Sequence, residues 1–201
     1  MVCSRAQVTH TQRHATPCSL RLSRSDTRLA PTHPPHRLLF FEVIFDGLFY
    51  VAHRLVHAHP LLYQYVHKLH HKHTHELRLL SSLQMTPLDV LLTHTLPVLG
   101  ALYLVPIEAG IELSIAKTYL LFQEFYGHAG VVHKGRNFGP APWLAYALDI
   151  ELRAQDHQRH HIKAGCNFSK RFSLFDRLFG TWDGGTGAGE EGAEAEHVHD
   201  D

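Results

Sequence analysis

The sequence predicts an all-α protein whose helices form a bundle within a membrane. The segment 88–107 is mostly apolar and about 20 residues long, which is enough to cross a bilayer as one helix. After a short turn at 108–110, a second helix is predicted over 111–126, so that the two segments make a transmembrane hairpin. Pro97 and Gly100 are tolerable within such a bundle because neighbouring helices satisfy the freed backbone groups.

A buried helical pair in a soluble protein is the alternative to this hairpin. Charged and polar side chains are expensive in lipid. Four of them lie in the two segments: Asp89, His94, Glu112 and Lys117. In the second helix, Lys117, Glu124 and His128 follow each other at spacings that predict one polar stripe. We expect the membrane arrangement, with this stripe turned to the interior of the bundle.

An earlier apolar segment, Leu38 to Ala52, is about 15 residues long and therefore short for a complete span. Its polar residues are not scattered at random, because steps of three and four residues put several of them on one helical face. The residues on this face are Asp46, Tyr50, His53 and His57. The helix is thus predicted to form one wall of a polar site, with its apolar side turned to lipid or to the core.

The charges predict how the hairpin is oriented. Its tip carries Glu108 and Glu112 and no basic residue. Basic residues occur instead near the histidine-rich segments at the other end: Lys68, Lys72, Arg78, Lys134, Arg136, Arg153 and Arg159. By the positive-inside rule, the tip faces the lumen and the histidine-rich segments face the cytosol. The Arg-rich N-terminal tail conflicts with this orientation if the first helix also spans the membrane.

One folded domain is predicted over residues 37–183, with a tail at each end. Residues 1–36 are expected to be a disordered or transit-like tail, since residues 1–25 contain several arginines and no acid. Residues 184–201 are rich in Gly, Ala and Glu and have little apolar surface to bury, which predicts a disordered acidic tail.

The composition narrows the classes of function. The 201 residues include 19 basic and 19 acidic side chains, so the net charge gives no indication of a nucleic-acid partner. The three cysteines are scattered and predict no disulfide framework. Histidine is the unusual component, with 20 residues, and at this density metal binding has to be weighed against pH sensing.

Three clusters of histidines have a spacing that predicts metal binding. Residues at i, i+3 and i+4 share a helical face, so each cluster can direct two or three imidazoles at one point. The clusters contain eight histidines: His53 and His57; His67, His70 and His71; His157, His160 and His161. Eight ligands exceed the three or four of a zinc site, so two metal ions are the natural number. A single HxxxH arises by chance on a protein surface, but two HxxHH clusters beside it favour the metal site.

Other histidines are expected to have ordinary roles. His73 and His75 break the spacing of the second cluster and are expected to be flexible and exposed. His59 and His133 lie near the clusters and are minor candidates for ligands. His94 stands alone on an apolar helix and is expected to be hydrogen-bonded within the bundle.

Five stretches of the chain resemble the fatty acid hydroxylase superfamily, which includes sterol desaturases, C4-methylsterol oxidases and sphingoid-base hydroxylases. They are FYVAHRLVH, LLYQYVHKLHH, FQEFYGHAG, DHQRHH and CNFSKRFSLFDRLFGTW. The resemblance extends from about Phe41 to Trp182 in the order of the family, and its most specific parts are the histidine clusters. It implies that residues 37–183 are a catalytic domain with a cytosolic histidine-box cap that holds two metals.

The resemblance implies an integral membrane enzyme, usually of the endoplasmic reticulum, with two non-haem iron ions. Such enzymes use O₂ and electrons from cytochrome b5 and its NADH-dependent reductase. Zinc can replace iron in preparations, and a plastid membrane is the alternative location if the N-terminal tail is a transit peptide. The lipid substrate, a sterol, a sphingoid base or a fatty acyl chain, would come from the bilayer.

The resemblance also assigns roles to single residues. The eight clustered histidines would be ligands, and His128 in GHAG would be a ninth. Glu124, one turn before His128, is open between a ligand, a residue that orients an imidazole and a structural role. Asp46 and Asp156 are further candidates to orient imidazoles, because carboxylates do this at many metal sites. Asn167 and Asp176 match family positions that we expect to be structural.

Two hypotheses of function remain open at this point. The first is an O₂-dependent lipid hydroxylase or desaturase. The second is a non-catalytic, histidine-rich metal-binding membrane protein. A soluble zinc hydrolase is disfavoured because the sequence lacks an HExxH motif. Gln158 replaces the acid usual in the last cluster, where Asp156 could partly substitute for it. Additional membrane helices usually precede the first cluster in the family, where this sequence has the Arg-rich tail.

Overall fold

The computed structural model describes residues 34–73, 79–108, 110–128 and 142–184. Every regular element within these ranges is helical, in agreement with the predicted all-α class. Outside the helices, one isolated antiparallel bridge in these ranges pairs Glu151 with Phe172.

Eight α-helices are distributed over the described ranges. The described ranges also contain two π-helical segments and two 3₁₀ turns. The π segment Tyr63–His67 follows α2, and the π segment Val90–Thr95 joins α3 to α4. The 3₁₀ turns are His70–Lys72 and Leu79–Leu83. The helices are α1 (Pro34–Ala58), α2 (Pro60–Leu62), α3 (Pro87–Asp89), α4 (Leu96–Leu104), α5 (Ile111–Gly127), α6 (Pro142–Ala147), α7 (Ala154–Ile162) and α8 (Leu174–Leu178).

The predicted helical hairpin is present. α3, the π segment and α4 form one continuous helix, Pro87–Leu104, and α5 returns from it after a turn at Gly110, whose φ of 104° suits glycine. In the described part of the chain, Pro87–Leu104 is the one helix long and apolar enough to cross a membrane, and 22% of it is buried. This low burial differs from that of a core helix and agrees with a helix that meets an apolar surrounding.

A ladder of phenylalanines packs α1 against the hairpin. Phe41, Phe45 and Phe49 recur every four residues, and their successive ring centroids lie 6.5 and 6.0 Å apart. They meet Ala101 of α4 and Ala116 of α5 in one buried apolar cluster. Because burial of a phenylalanine side chain stabilises a fold by about 1.5–3 kcal/mol, this ladder contributes several kcal/mol to the association of the three helices.

α1 is longer than the apolar segment from which it was predicted. The helix runs over 25 residues, Pro34–Ala58, and continues through His53 because the polar face of its last turns is buried as well. The predicted stripe is confirmed for Asp46, Tyr50 and His53, which are all buried, and His57 is half-buried.

An ion-pair cluster holds the start of α1 at the hairpin tip. The Arg37 guanidinium lies 3.2 Å from the carboxylate of Glu108 and 2.6 Å from that of Glu112. The expectation that the tip carries no basic residue is therefore wrong, because the fold brings Arg37 there from a distant part of the sequence. α1 consequently runs from the tip towards the histidines.

The stripe predicted on α5 is only half correct. Glu124 and His128 are buried, but Lys117 is exposed although it lies almost on the same helical face. The reason is that α7 and the loop around Lys170 cover only the end of α5, where Glu124 contacts Lys170. No described residue covers the same face about two turns earlier, at Lys117.

Pro97 explains the π-helical segment before it. Proline has no N–H to donate to the carbonyl four residues earlier, and its ring clashes with that carbonyl. The helix widens over Val90–Thr95, and Leu96 N–H donates instead to the carbonyl of Leu91. A π-helical insertion of this kind commonly adjusts which side chains face inward, and here Thr93 is fully buried.

Two buried aspartates fix the loop after α7. Asp46 on α1 accepts hydrogen bonds from the N–H groups of Lys170 (2.7 Å), Arg171 (2.8 Å) and Phe172 (3.1 Å). Asp176 accepts hydrogen bonds from the N–H groups of Phe168 and Ser169 and from the Thr181 hydroxyl. Both carboxylates thereby satisfy backbone donors that would otherwise be buried without a partner.

Asn167 completes this loop and has the structural role expected of it, as does Asp176. Its φ of 54° lies in the left-handed region, which asparagine tolerates better than most residues. Its amide donates to the carbonyls of Asp156 and Asp183, and its side-chain oxygen accepts from the N–H of Asp183. The loop is therefore tied to the start of α7 as well as to α1.

We predict that Asp46→Asn destabilises the protein. An amide oxygen is a weaker acceptor than a carboxylate, and the amide NH₂ would replace one of the two accepting oxygens and face at least one buried N–H donor. The expected loss of unfolding free energy is about 1.5–3 kcal/mol, measured by denaturant unfolding in detergent.

Asp149→Asn is the matched control. Its side chain is 85% exposed and pairs with Arg177, and asparagine tolerates its φ of 51°. A change within about 0.5 kcal/mol is expected for an exposed pair. Equal effects of the two substitutions would contradict the role of Asp46 in holding the loop.

Candidate metal centre

Five structural elements carry the nine histidines predicted as ligands. His53 and His57 lie on the last turns of α1, and His128 ends α5. The second cluster lies on the π-helical and 3₁₀ turns after α2, and the third lies on α7. Eight of the nine are buried, and His57 is half-buried. The fold thus brings together at one end of the bundle all nine residues that the sequence indicated.

The nine histidines form two groups, and within each group the ligand nitrogens lie within 4.8 Å of one another. We call these the five-histidine group and the four-histidine group. The five-histidine group consists of His53, His57, His67, His71 and His160. The four-histidine group consists of His70, His128, His157 and His161. Each group could hold one metal ion, so the arrangement suits two ions.

The division follows a simple rule of helix geometry. In each cluster the histidines four residues apart, such as His67 and His71 or His157 and His161, share a group. The third member, His70 or His160, belongs to the other group. Of the two or three imidazoles that a cluster was expected to direct at one point, two do so. Neighbouring positions differ by about 100° around a helix, so His70 and His71 point to different groups.

The five-histidine group has the electrostatics of a cation site. His53 Nδ1 donates to the carbonyl of Phe168 at 2.8 Å, and His67 Nδ1 donates to the carboxylate of Asp89 at 2.9 Å. In a neutral imidazole only one nitrogen carries the proton, so both Nε2 atoms present lone pairs. These atoms face each other at 3.0 Å. Two lone pairs at this distance repel unless a cation attracts both, and the residues present therefore fit a metal ion.

The four-histidine group shows the same convergence. His128 Nδ1 donates to the carbonyl of Glu124 at 2.8 Å, which leaves its Nε2 as a lone pair. This Nε2 lies 3.4 Å from His70 Nε2 and 3.3 Å from His157 Nε2, and His157 Nε2 lies 3.2 Å from His161 Nε2. Neutral imidazole nitrogens in this arrangement are good ligands for iron, zinc and copper.

Several ring nitrogens are buried without a hydrogen-bond partner. Buried polar atoms are nearly always paired, so each of these nitrogens needs an explanation. For His57 and His160 the unpaired atom is Nε2, and for His71 both ring nitrogens are unpaired. All three residues belong to the five-histidine group, where coordination of a metal ion would satisfy one nitrogen of each.

Burial also keeps the imidazoles in the form that binds metals. Burial lowers the pKa of His71 to about 3 and that of His128 to about 4. Four further histidines of the second and third clusters, His70, His157, His160 and His161, have pKa values lowered first by burial and second by a neighbouring histidine or by Lys170. These side chains are therefore neutral at pH 7, and no proton has to leave before a metal ion binds.

Backbone carbonyls and one carboxylate orient the imidazoles. His160 Nδ1 donates to the carbonyl of Cys166 at 2.7 Å. Together with Phe168 and Glu124, this makes three ligands anchored by carbonyl groups. The carboxylate is that of Asp89, which in the sequence stood out only as a charge that is costly in lipid. An acid in the first turn of the apolar helix, shortly after a histidine cluster, was the available signal.

The roles suggested for Asp46 and Asp156 are wrong in their chemistry. Neither carboxylate makes a hydrogen bond to an imidazole of the two groups. Asp46 binds backbone N–H groups of the loop after α7. Asp156 accepts a hydrogen bond from Arg153 N–H at 2.7 Å and thereby caps the start of α7. Both aspartates support the site through the backbone.

Glu124 lies beside the four-histidine group. One carboxylate oxygen is 3.5 Å from His128 Nδ1, while the backbone carbonyl of the same residue is the closer acceptor. The other oxygen contacts His94 Nε2 at 3.0 Å and Lys170 Nζ at 2.8 Å. Of the three roles left open for Glu124, this geometry favours that of a residue that holds a ligand in position.

The remaining histidines lie outside both groups. His94 is hydrogen-bonded within the bundle, as expected, and His59 is exposed. His73 is half-buried. His75 and His133 fall outside the described residues. Gln158, at the position of the usual acid, is half-buried on α7.

Comparison with known proteins gives one family and several relatives. The model of the fatty acid hydroxylase family matches residues 38–181. The chain is similar to human cholesterol 25-hydroxylase, with 27% identity over 153 residues, covering 73% of this chain and 51% of the relative. It is 31% identical over 150 residues to the very-long-chain aldehyde decarbonylase GL1-8 of rice, with coverages of 72% and 51%.

A third relative is the C-4 methylsterol oxidase erg25 of Schizosaccharomyces pombe, with 29% identity over 150 residues and coverages of 72% and 46%. The chain thus spans about half the length of the curated relatives it matches. No solved structure matches it significantly. The family match covers both histidine groups and most of the chain, and the chain belongs to the fatty acid hydroxylase family.

Proposed function

We propose that this protein is a membrane-bound di-iron oxidoreductase that hydroxylates or desaturates a lipid with O₂. The observation that carries the proposal is the convergence of nine histidine side chains into two groups, each with its ligand nitrogens within 4.8 Å of one another. Membership of the fatty acid hydroxylase family supports the type of reaction. The relatives named as sterol-modifying enzymes support a lipid as the class of substrate.

Iron is the metal we propose for both groups. Imidazole suits iron and zinc equally well, but zinc in proteins is usually four-coordinate, and one group offers five histidines. Two iron ions would supply the O₂-dependent oxidation of an unactivated C–H bond, with electrons from an external donor. Zinc can occupy the same nitrogens in preparations and would leave the protein without this activity.

The protein's own residues hold and shield the ions. Asp89 and the carbonyls of Phe168, Glu124 and Cys166 fix the orientation of four ligands. This is expected to raise the affinity for metal because less motion is lost when an ion binds. The surrounding burial excludes water, which protects the reactive centre from side reactions.

An apolar groove supports a lipid chain as the substrate. It has a volume of about 390 Å³ and lies between α1 and the Pro87–Leu104 helix, with Leu48, Leu55, Leu92 and Leu96 among its lining residues. Its size is that of a binding site for a small apolar molecule. The groove lies on a different face of α1 from the histidine stripe. Leu62, which lies beyond α1 in the chain, also lines the groove.

A route from this groove to the metal centre passes Tyr63. Tyr63 follows Leu62 in the chain, and its ring lies 5.3 Å from that of His57. A lipid carbon would therefore approach the five-histidine group over the end of α1.

We propose the endoplasmic reticulum membrane as the location, with the histidine groups on the cytosolic side. The apolar helix Pro87–Leu104 supports insertion. Exposed lysines near the histidines, Lys68, Lys72 and Lys163, agree with the positive-inside rule. On this side a cytochrome b5-type donor and its NADH-dependent reductase could deliver electrons. A plastid membrane is the alternative if the N-terminal tail is a transit peptide.

We predict that His70→Ala and His160→Ala each abolish lipid oxidation, because each removes a ligand from a different group. We expect activity to fall by at least roughly 100-fold, which is the upper end of the effect of substituting a residue that only orients a metal ligand. The measurement is O₂ consumption and lipid product formation by the iron-loaded protein in membranes with a reductant.

His59→Ala is the control, since His59 is exposed and outside both groups. It should leave turnover unchanged, and all three variants should insert into membranes like the wild type. Full turnover by His70→Ala would remove His70 from the ligand set. A wild-type protein that folds, binds zinc only and never consumes O₂ would favour the non-catalytic metal-binding alternative.

A second prediction concerns the unequal size of the two groups. His57→Ala leaves four histidines in its group, whereas His157→Ala leaves three in the other. After iron loading and a chelator wash, His57→Ala should retain about two ions per chain and His157→Ala about one, because four imidazoles still fill a metal site.

Elemental analysis measures this difference, and both variants delete the same side chain. Equal loss of iron from the two variants would contradict the division into a five-histidine and a four-histidine group.

A further inference from the structure

A chain of hydrogen bonds begins at the five-histidine group and leads away from it. His67 Nδ1 contacts both carboxylate oxygens of Asp89 at 2.9 Å. The Thr93 hydroxyl lies 3.2 Å from Asp89 Oδ1 and 2.8 Å from the Asp89 carbonyl. The same hydroxyl lies 2.8 Å from His94 Nδ1. The ligand His67 is thus connected to His94, which is not a ligand.

The chain continues from His94 to the four-histidine group. His94 Nε2 donates to the carboxylate of Glu124 at 3.0 Å. The carbonyl of Glu124 accepts a hydrogen bond from His128 Nδ1 at 2.8 Å, and its carboxylate lies 3.5 Å from the same nitrogen. Lys170 Nζ contacts the Glu124 carboxylate at 2.8 Å and balances its charge. This series of hydrogen bonds therefore ends at a ligand of each group, His67 of the five-histidine group and His128 of the four-histidine group.

Most of the chain is buried. Asp89, Thr93, Glu124 and Lys170 are all buried, and the His94 side chain is 26% exposed. Hydrogen bonds in such an environment are stronger than in water and polarise one another. A buried carboxylate such as Asp89 or Glu124 would be costly without its partners, so the positions of the two carboxylates depend on Thr93, His94 and Lys170.

The distorted helix explains why consecutive residues can link the two sides. Thr93 and His94 both lie in the π-helical segment that Pro97 imposes. The ring of His94 is held by an edge contact with Phe49, with centroids 5.5 Å apart and planes at 82°. In this position Nδ1 meets the Thr93 hydroxyl and Nε2 meets Glu124.

We propose that Asp89, Thr93, His94, Glu124 and Lys170 form one positioning network that holds a ligand in each metal group and couples the two metal sites energetically. This inference rests on the proposed function only in taking the two histidine groups as metal sites. Its central residue is His94, which contacts no ligand, and whose loss should weaken metal binding at both sites. Independent anchors at His67 and His128 would not have this property.

Cobalt(II) binding to the metal-free full chain in detergent tests the proposal without enzymatic turnover. Chelator competition gives the two affinities, and the visible spectrum of Co²⁺ gives the ligand geometry. The wild type should bind two Co²⁺ ions. His94→Phe should bind both roughly 3- to 10-fold more weakly, below or at the lower end of the range for residues that contact a ligand directly.

His94→Gln distinguishes hydrogen bonding from packing. Phenylalanine keeps the ring contact with Phe49 and loses both polar contacts. Glutamine loses the ring but still offers an N–H to the Glu124 carboxylate. Affinities should therefore return towards wild-type values in His94→Gln, whereas a purely steric role of His94 would give the opposite order. His59→Phe, at an exposed histidine, is the matched control and should leave both affinities unchanged.

A double-mutant cycle tests the coupling itself. Asp89→Asn should mainly weaken the five-histidine site, and Glu124→Gln the four-histidine site. In the wild-type background, the loss of Co²⁺ affinity in the double variant should differ at least roughly threefold from the product of the losses in the two single variants. In the His94→Phe background, the two losses of Co²⁺ affinity should simply multiply. If His94→Phe does not fold, Thr93→Val breaks the same chain and replaces it in the cycle.

The outcomes separate this proposal from the proposed function. A wild type that binds two Co²⁺ ions, together with His94 and Thr93 variants of unchanged affinity, overturns the network and leaves the metal centre intact. Weakening of one site only overturns the coupling. A wild type that binds fewer than two Co²⁺ ions contradicts the metal centre itself.

Discussion

The constraint on which the structure depends is the packing of nine imidazoles at one end of the bundle, eight of them buried, where the Nε2 atoms of six rings face one another at 3.0–3.4 Å. If the imidazoles were protonated, their positive charges would repel one another. If they are neutral, the lone pairs of neighbouring nitrogens face one another and repel. Burial removes the first problem for most of the rings, because it lowers the pKa values of His71 and His128 well below 7 and shifts those of His70, His157 and His160 in the same direction. Metal ions would remove the second. The rest of the fold supplies the rigidity that keeps the rings in place until ions bind.

That rigidity reaches the imidazoles largely through the backbone. Asp46 and Asp176 fix the N–H groups of the loop after α7, and this orients its carbonyls. The carbonyl of Phe168 in this loop anchors His53, and that of Cys166 just before it anchors His160. Asp46 on α1 therefore influences the orientation of the histidines through the loop after α7, without contacting them. This explains how a family signature rich in aspartate, asparagine and threonine can serve a site made of histidines.

The sequence predicted the hairpin, the polar face of α1 and the eight clustered histidines, because helical periodicity and ligand spacing are local properties, whereas His128 was indicated by the family resemblance. It could not predict which histidines share an ion, because that depends on how α1, α5 and α7 meet. The roles of the carboxylates were mispredicted for a similar reason, because Asp46 and Asp156 cannot be distinguished in sequence from acids that orient imidazoles. Asp89, which does contact His67, was hidden in an apolar segment where its charge suggested a cost in lipid. Lys117 was misplaced because periodicity gives a face of a helix and not what covers it.

Pro97 connects the two sides of the molecule that matter for the proposed reaction. Leu96, Pro97 and Gly100 line the apolar groove, while Thr93 and His94, in the widened turn before Pro97, face the polar network. An ordinary α-helix would pair the Thr93 carbonyl with the N–H that proline lacks. The same distortion thus shapes the surface offered to a lipid chain and the contacts that position His67 and His128. A substitution at Pro97 would therefore change both at once, and its effects on lipid binding and on metal affinity cannot be independent.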